Sequence, residues 1–309
     1  MRKLLPTDPN RLRRLAAMAS LGLAGALVAL KLLAALATGS LAVMTSLIDS
    51  LADIVASAIT FVSVQIAQQP ADRGHRFGHG KAESLSALAQ GALIGGSAVF
   101  VLIDAVRRLG MPQPVGAAGL GVGVMVFATV STLLLVMFQR HVVRVTGSQA
   151  INADSVHYRA DLLTNLSVLI SLLLSARLGW LWVDPAMGAG IALYLGWHAF
   201  SIGRDAVHVL MDHELPPETR SRIKEIVLAH PEVRDLHDLR TRESGSTQFI
   251  ELHVEVDGAM TVAAAHEVTD AIEAELFAAF PAAEVILHQE PAGLDDERLD
   301  HRIARRATA

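Results

Sequence analysis

Cysteine is absent from the 309 residues of this chain, and charged residues are few. The lack of cysteine excludes disulfides, thiolate metal ligands, iron–sulfur clusters and cysteine nucleophiles. A transition metal must therefore be held by His, Asp or Glu. Charged residues make up 18% of the chain and hydrophobic residues 52%, which is too apolar for a soluble globular protein of this length. The net charge of −5 carries no basic bias, so nucleic acid is not expected as a partner.

Hydrophobic residues are concentrated between Leu15 and about Leu210. A run of roughly 20 predominantly apolar residues can cross the hydrocarbon core of a bilayer as a helix. Six transmembrane helices are predicted, at residues 13–36, 41–66, 82–107, 116–140, 148–177 and 183–208. We therefore expect a transmembrane domain at residues 1–210, a smaller domain at 211–293 and a flexible tail at 294–309.

Arginine and lysine are unevenly distributed between the short loops. The amino-terminal segment and the second-to-third and fourth-to-fifth loops carry most of them, namely Arg2, Lys3, Arg11, Arg13, Arg14, Arg73, Arg76, Lys81, Arg140 and Arg144. The opposite loops carry Arg107, Arg108 and Arg177. Because cytoplasmic loops are enriched in positive charge, both termini and the smaller domain are predicted to be cytoplasmic.

Two pairs of ionisable residues lie inside the hydrophobic runs, where a charged side chain costs roughly 2.5–3.5 kcal/mol on insertion scales. Asp49 and Asp53 are four residues apart in the second run, and His157 and Asp161 repeat this spacing in the fifth. Residues four apart lie on one face of a helix, with Cβ atoms about 6 Å apart. Neighbouring carboxylates repel each other in a low dielectric, and a divalent cation between them removes this repulsion.

Three carboxylates and one imidazole make a four-ligand set, the number that zinc prefers in tetrahedral geometry. Such ligands lose protons when they bind metal and can regain them on release, which is the minimum chemistry of a metal/proton antiporter. The alternative is a buried hydrogen-bonded network between helices, and the spacing leaves both interpretations open.

The DxxxD motif of Asp49 and Asp53 and the HxxxD motif of His157 and Asp161 resemble the cation diffusion facilitator family. The resemblance covers nearly the whole chain and is to the bacterial subgroup that exports zinc, cadmium and ferrous iron. It implies that these four residues form the transport site. Manganese-type relatives generally carry Asp in place of His157, so zinc, cadmium or iron is favoured over manganese. The resemblance also implies a homodimer in the bacterial inner membrane.

A second cluster follows the second hydrophobic run, in the segment QQPADRGHRFGHGKAESLSAL. Asp72, His75 and His79 align there with a second metal site of the family. The glycines between them would let a short loop bend its ligands toward one ion. The alternative is a solvated loop whose histidines contact lipid headgroups or other residues.

The smaller domain is predicted to be α/β, with the order helix (217–229), strand (233–242), strand (TQFIELHVEVD), helix (262–280) and strand (AEVILHQ). This order resembles the metallochaperone-like cytoplasmic domain of the family. The family's binuclear metal site maps onto His237, His253, His266, His288 and Glu290. Relatives often have Asp where Glu290 stands, which leaves open whether Glu290 or the neighbouring Gln289 is a ligand.

Three functional classes fit parts of this pattern. An intramembrane metalloenzyme would need an open coordination position and a general base, which a four-ligand set does not leave. A metal sensor or storage protein would not need charged pairs in six spans. The sequence therefore favours an α-helical membrane protein with six transmembrane helices that acts as a secondary active transporter. Zinc is its expected substrate and regulatory ligand, with cadmium or ferrous iron as alternatives and protons as the counter-ion.

Overall fold

A computed structural model of the chain describes residues 8–38, 41–110, 119–178, 180, 182–294 and 298–307. Two compact units are present. Met1–Val207 form the first, here called the helical unit, and His208–Ala309 form the second, here called the α/β unit.

The helical unit consists of six described helices of 27 to 30 residues each. They are α1 (Pro9–Thr38), α2 (Leu41–Ala67), α3 (Ala82–Gly110), α4 (Gly119–Thr146), α5 (Gln149–Leu178) and α6 (Val183–Leu210). At 1.5 Å per residue each helix is about 40 Å or longer, which exceeds the roughly 30 Å thickness of the hydrocarbon core.

Helices α1 to α4 contain described stretches that are long and apolar enough to cross a membrane. Helices α5 and α6 are as long, but they do not meet the same criterion over their described residues. A membrane-spanning helical unit is thus supported, while the number of six spans stays a prediction.

Helix α3 packs closely against α6 through small residues. A Cβ atom at Gly91 would lie 3.3 Å from the carbonyl oxygen of Ala199, which is tighter than an ordinary van der Waals contact. The buried side chains of Ala87 and Ala206 belong to the same cluster. Small residues of this kind let two helix backbones approach each other inside a membrane.

The α/β unit contains α7 (Pro217–Leu228), β1 (Asp235–Ser244), β2 (Thr247–Val256), α8 (Val262–Ala279), β3 (Ala283–Pro291) and α9 (Leu299–Ala307). Strand β2 is central in the sheet order β1-β2-β3. It pairs antiparallel with β1 through a tight turn, in which Gly245 has a φ of 64°, and parallel with β3 after the α8 crossover. Up to β3 this is the predicted order of elements.

The core of the α/β unit is built from the apolar face of β2 and the inner faces of α7 and α8. Ile250, Leu252, Val254 and Val256 are each no more than 4% exposed, as the alternation of the sequence predicted. Their neighbours on the opposite face, among them His253 and Glu255, are thereby directed to the other side of the sheet.

Two features of this unit were not predicted. Strand β1 is irregular between His237 and Arg240, and Asp238 has a left-handed backbone with a φ of 51°. A non-glycine residue in this region costs roughly 1–2 kcal/mol, although Asp tolerates it better than most. In addition, helix α9 lies within the segment that the sequence predicted to be a flexible tail.

Candidate metal centres

The first cluster of metal-ligand type lies between α2 and α5. His157 Nε2 is 2.9 Å from Asp53 Oδ1 and 3.9 Å from Asp161 Oδ2. One ligand atom from each of the three residues lies within 4.8 Å of the others. The side chains of Asp53 and His157 are 16% and 21% exposed, whereas that of Asp161 is 38% exposed, so the cluster is partly withdrawn from the surface.

Asp49 lies on α2 one helical turn before Asp53. Its side chain falls outside the described residues. Its role as the fourth ligand therefore stays a prediction.

A cavity of about 640 Å³ adjoins the cluster. Asp53, His157 and Asp161 contribute to its wall, and Lys31 and Asn165 are among its other polar residues. The wall also includes apolar side chains of α1, α3 and α4, for example Leu27, Ile94, Phe100 and Ala128. The cluster is thus placed beside a space large enough for hydrated ions.

A buried polar network joins four helices next to this cluster, and sequence reasoning missed it. Asp154 is fully buried, and its Oδ2 accepts hydrogen bonds from the Ser20 hydroxyl at 2.5 Å and from Gln139 Nε2 at 2.6 Å. Ser57 lies 3.0 Å from the Ser20 hydroxyl and 2.9 Å from the Tyr158 hydroxyl. The network therefore links α1, α2, α4 and α5 through side chains that are distant in sequence.

A buried ion pair connects further helix ends. Arg13 on α1 and Glu83 on α3 are 6% and 3% exposed, with Nη1 and Oε1 3.5 Å apart. Arg13 Nη2 donates to the carbonyl oxygen of Thr146 at 2.7 Å, and the Ser148 hydroxyl donates to Glu83. Buried charges require partners of this kind.

The loop cluster is assembled as the sequence predicted, within one short segment. His75 Nδ1 and His79 Nε2 lie 3.6 and 3.4 Å from the two oxygens of Asp72. The backbone N–H groups of His75 and Gly74 donate to Asp72 Oδ1, and these hydrogen bonds lower the pKa of Asp72. A carboxylate that stays ionised beside two imidazoles suits a divalent cation.

The third cluster is set by the register of the sheet. His237 pairs with His253 across β1 and β2, and His253 pairs with His288 across β2 and β3. The three rings therefore form a row, with neighbouring ring centroids 5.0 and 4.8 Å apart. These values match the spacing of about 4.8 Å between hydrogen-bonded strands.

Glu290 lies at the centre of this row. Its Oε1 is 2.8 Å from His253 Nδ1 and 3.2 Å from His288 Nε2, and its Oε2 is 3.4 Å from His237 Nε2. Oε2 is buried and receives no hydrogen bond from the described residues. A buried carboxylate oxygen facing imidazole nitrogens is an arrangement that a cation would complete.

His266 is not brought to this row. It lies on α8 with Nδ1 3.6 Å from Asp270 Oδ1, and its side chain is 69% exposed. The ligand atoms that lie within 4.8 Å of one another belong to His237, His253 and Glu290. The ligand roles of His266, His288 and Gln289 therefore stay predictions.

Two family models match this chain. Residues 17–211 match the "Cation efflux transmembrane domain", and residues 215–292 match the "Cation efflux protein, cytoplasmic domain". The chain is 45% identical to the cation-efflux pump FieF of Klebsiella pneumoniae over 285 residues, covering 92% of this chain and 95% of the relative. It is 46% identical to FieF of Shewanella oneidensis over 282 residues, covering 91% and 95%.

Among solved structures, the metal-bound C-terminal domain of the CzcD transporter from Thermotoga maritima is similar to one part of the chain. The two are 33% identical, and the match covers 26% of this chain and 100% of that domain with a TM-score of 0.24.

The two family models and the FieF relatives define a membrane transporter of cations. The chain belongs to the cation diffusion facilitator family, as the motifs in its second and fifth helices indicated. Divalent-cation efflux is the activity that this membership supports.

Proposed function

We propose that this protein exports zinc from the cytoplasm in exchange for protons, with cadmium and ferrous iron as further substrates. The observation that carries the proposal is the cluster of Asp53, His157 and Asp161 beside a cavity in the helical unit. Two carboxylates and one imidazole offer oxygen and nitrogen ligands of the kind that zinc accepts. Asp49, one turn away on α2, would complete a four-ligand set.

Proton coupling follows from the charge of these ligands. Asp53 and Asp161 both lie within 4 Å of the His157 ring nitrogen, so their charges must be balanced in a low-dielectric setting. A divalent cation balances them when bound, and protons balance them after its release. Protons moving inward supply about 2.3 kcal/mol per charge for each 100 mV of membrane potential.

Alternating access would present this cluster first to the cytoplasm and then to the opposite side. In secondary transporters, such motion is commonly a rocking of one helix group against another around a fixed site. The protein would span the bacterial inner membrane six times with both termini in the cytoplasm. The density of positive charge in the second-to-third and fourth-to-fifth loops supports this orientation.

The loop cluster and the histidine row would bind regulatory metal on the cytoplasmic side. Their ligand atoms are already close together, so binding would need little rearrangement. Metal at these centres would stabilise one conformation of a homodimer by binding it more tightly than the other.

The transport cluster is tested by zinc flux in sealed proteoliposomes with an imposed pH gradient. Asp53→Asn keeps the shape of the side chain and removes its charge, so flux should fall to that of protein-free vesicles. The matched control is Asp104→Asn, which removes a carboxylate from apolar α3 outside the cavity, at a side chain that is 46% exposed. That control and His253→Ala should both still transport zinc, with His253→Ala altering only its dependence on zinc concentration.

Zinc flux that survives Asp53→Asn would contradict the proposed site. Flux that does not depend on the pH gradient would contradict proton coupling while leaving the site in place.

A further inference from the structure

A chain of contacts runs from the carboxy-terminal helix to the histidine row. Arg298, directly before α9, donates from Nη2 to the carboxylate of Glu255, and its Nη1 lies 3.7 Å from Asp235 Oδ2. Glu255 is 7% exposed, and its Oε1 lies 3.4 Å from His237 Nδ1. The guanidinium of Arg298 is thus separated from a candidate metal ligand by a single carboxylate.

A second contact fixes α9 beside the same ligand. The carboxylate of Asp238 accepts hydrogen bonds from the backbone N–H groups of Leu299 and Asp300, at 2.8 and 2.9 Å. The Asp300 carboxylate in turn accepts from the N–H group of Asp238 at 3.1 Å. Asp238 lies next to His237 and has the left-handed backbone described above.

The two ring nitrogens of His237 face different carboxylates. Nδ1 faces Glu255 and Nε2 faces Glu290. Histidine ligands of metals commonly donate their second ring N–H to a carboxylate, which fixes the tautomer and the direction of the ring. Glu255 Oε1, at 3.4 Å from Nδ1, is near enough to take this role when a metal binds at Nε2.

We propose that Arg298 and helix α9 tune the metal affinity of the histidine row by holding Glu255 against His237. The inference rests on the proposed regulatory site of the α/β unit and adds its control by the carboxy-terminal segment. Arg298 is a positioning residue, because it acts through Glu255 and does not touch the ligand atoms of the row. Linkage makes the effect reciprocal, so metal at the row strengthens the docking of α9.

The test uses the full-length chain in detergent and zinc alone, with affinity measured by competition against a chromophoric chelator. All variants are made in one parent protein, which carries Asp53→Asn and His79→Ala. These two substitutions remove a ligand from each of the other two candidate metal centres. Loss of a group that orients a metal ligand costs 10- to 100-fold in affinity, so Arg298→Gln should weaken zinc binding about tenfold or more. Arg298→Lys should restore part of this loss, because it keeps the charge.

Arg302→Gln is the matched control, since Arg302 lies on the same helix with an exposed side chain. It should bind zinc as the parent does. Hydrogen exchange gives a second readout, which is independent of the affinity measurement. Added zinc should slow the exchange of residues 298–307 in the parent and should not do so in Arg298→Gln.

Equal zinc affinity in Arg298→Gln and the parent would overturn the proposal, as would unchanged exchange of residues 298–307 on zinc addition. A parent that binds no zinc would overturn it together with the site in the α/β unit. The proteoliposome assay of the wild-type chain would still decide the transport function, because it does not depend on the histidine row.

Discussion

The buried pair of Arg13 and Glu83 allows a quantitative test of how the helical unit is held together. Removing one partner of a buried ion pair leaves an uncompensated charge, which costs about 3–5 kcal/mol. Arg13→Met and Glu83→Leu should therefore each lower the free energy of unfolding by about this amount. The remaining partners, the Thr146 carbonyl and the Ser148 hydroxyl, do not neutralise the charge that is left.

The double variant Arg13→Met/Glu83→Leu removes both charges. Apolar replacement of a whole buried pair is often neutral or stabilising. Here the Ser148 hydroxyl loses its acceptor and the Thr146 carbonyl loses its donor, at about 1 kcal/mol each. The free energy of unfolding of the double variant should thus lie within about 2 kcal/mol of the wild-type value, although the two single losses add to roughly 6–10 kcal/mol.

The assay is unfolding of the full chain by SDS in mixed micelles, followed by tryptophan fluorescence. All three tryptophans, Trp180, Trp182 and Trp197, belong to the helical unit, so the signal reports this unit alone. The control is Asp104→Asn, which breaks the exposed pair with Arg108. An exposed pair contributes about 0–1 kcal/mol, and its loss should be correspondingly small.

Single variants that cost less than about 1 kcal/mol would refute the reasoning, because such a result is typical of a solvated pair. Single losses that simply add in the double variant would refute it in another way. They would mean that the two side chains do not interact.

Two further predictions concern polar groups that the structure withdraws from water. Asp154→Leu leaves Ser20 and Gln139 without their acceptor, at a cost of about 1–3 kcal/mol for each unsatisfied group. In the same fluorescence assay, the free energy of unfolding should therefore fall by roughly 2–6 kcal/mol. A decrease below about 0.5 kcal/mol would contradict the network. Burial raises the pKa of Glu243 on β1, so its carboxyl group holds a proton more tightly in the folded state than in the unfolded state. The stability of the β1–β2 hairpin therefore falls as the pH rises from the pKa of the unfolded state through that of the folded state. Glu243→Gln should therefore slow hydrogen exchange of β1 and β2 relative to the wild type at neutral pH, and the difference should vanish below about pH 4; a difference that is the same at both pH values would contradict this linkage.

Local pattern marked the residues of the cluster between α2 and α5 because the signal is strong and contained within two segments. Charged residues are rare in apolar runs. Because residues four apart lie on the same face of a helix, Asp49 shares a face of α2 with Asp53, and His157 shares a face of α5 with Asp161. The structure brings Asp53, His157 and Asp161 together across helices that are about 100 residues apart in sequence. The family resemblance, which the comparisons confirm, supplied that pairing between helices.

The buried network escaped sequence reasoning for a physical reason. Asp154 lies three residues before His157, but its partners Ser20 and Gln139 come from α1 and α4. Serine and glutamine side chains in membrane helices can hydrogen-bond to many kinds of partner, so nothing in either segment marks them as partners of a carboxylate. Such contacts depend on the packing of the helices, which hydropathy does not determine.

The α/β unit gives a similar contrast. Alternation predicted the buried face of β2 correctly, because a strand period of two is a local property. The irregularity at Asp238 and the docking of α9 depend on contacts between residues about 60 positions apart. The resemblance included His266 among the ligands, whereas the structure places it beside Asp270 on α8.

The row of histidines has a consequence for the mechanics of the sheet. An ion bound by His237, His253 and Glu290 would join β1, β2 and β3 directly, since the three residues lie on three different strands. In a chain without cysteine, such an ion would act as a disulfide does in a secreted domain, by restricting the freedom of the unfolded segments between its attachment points. This cross-link would respond to the concentration of free metal instead of to redox potential, so the rigidity of the sheet would rise and fall with the metal content of the cell.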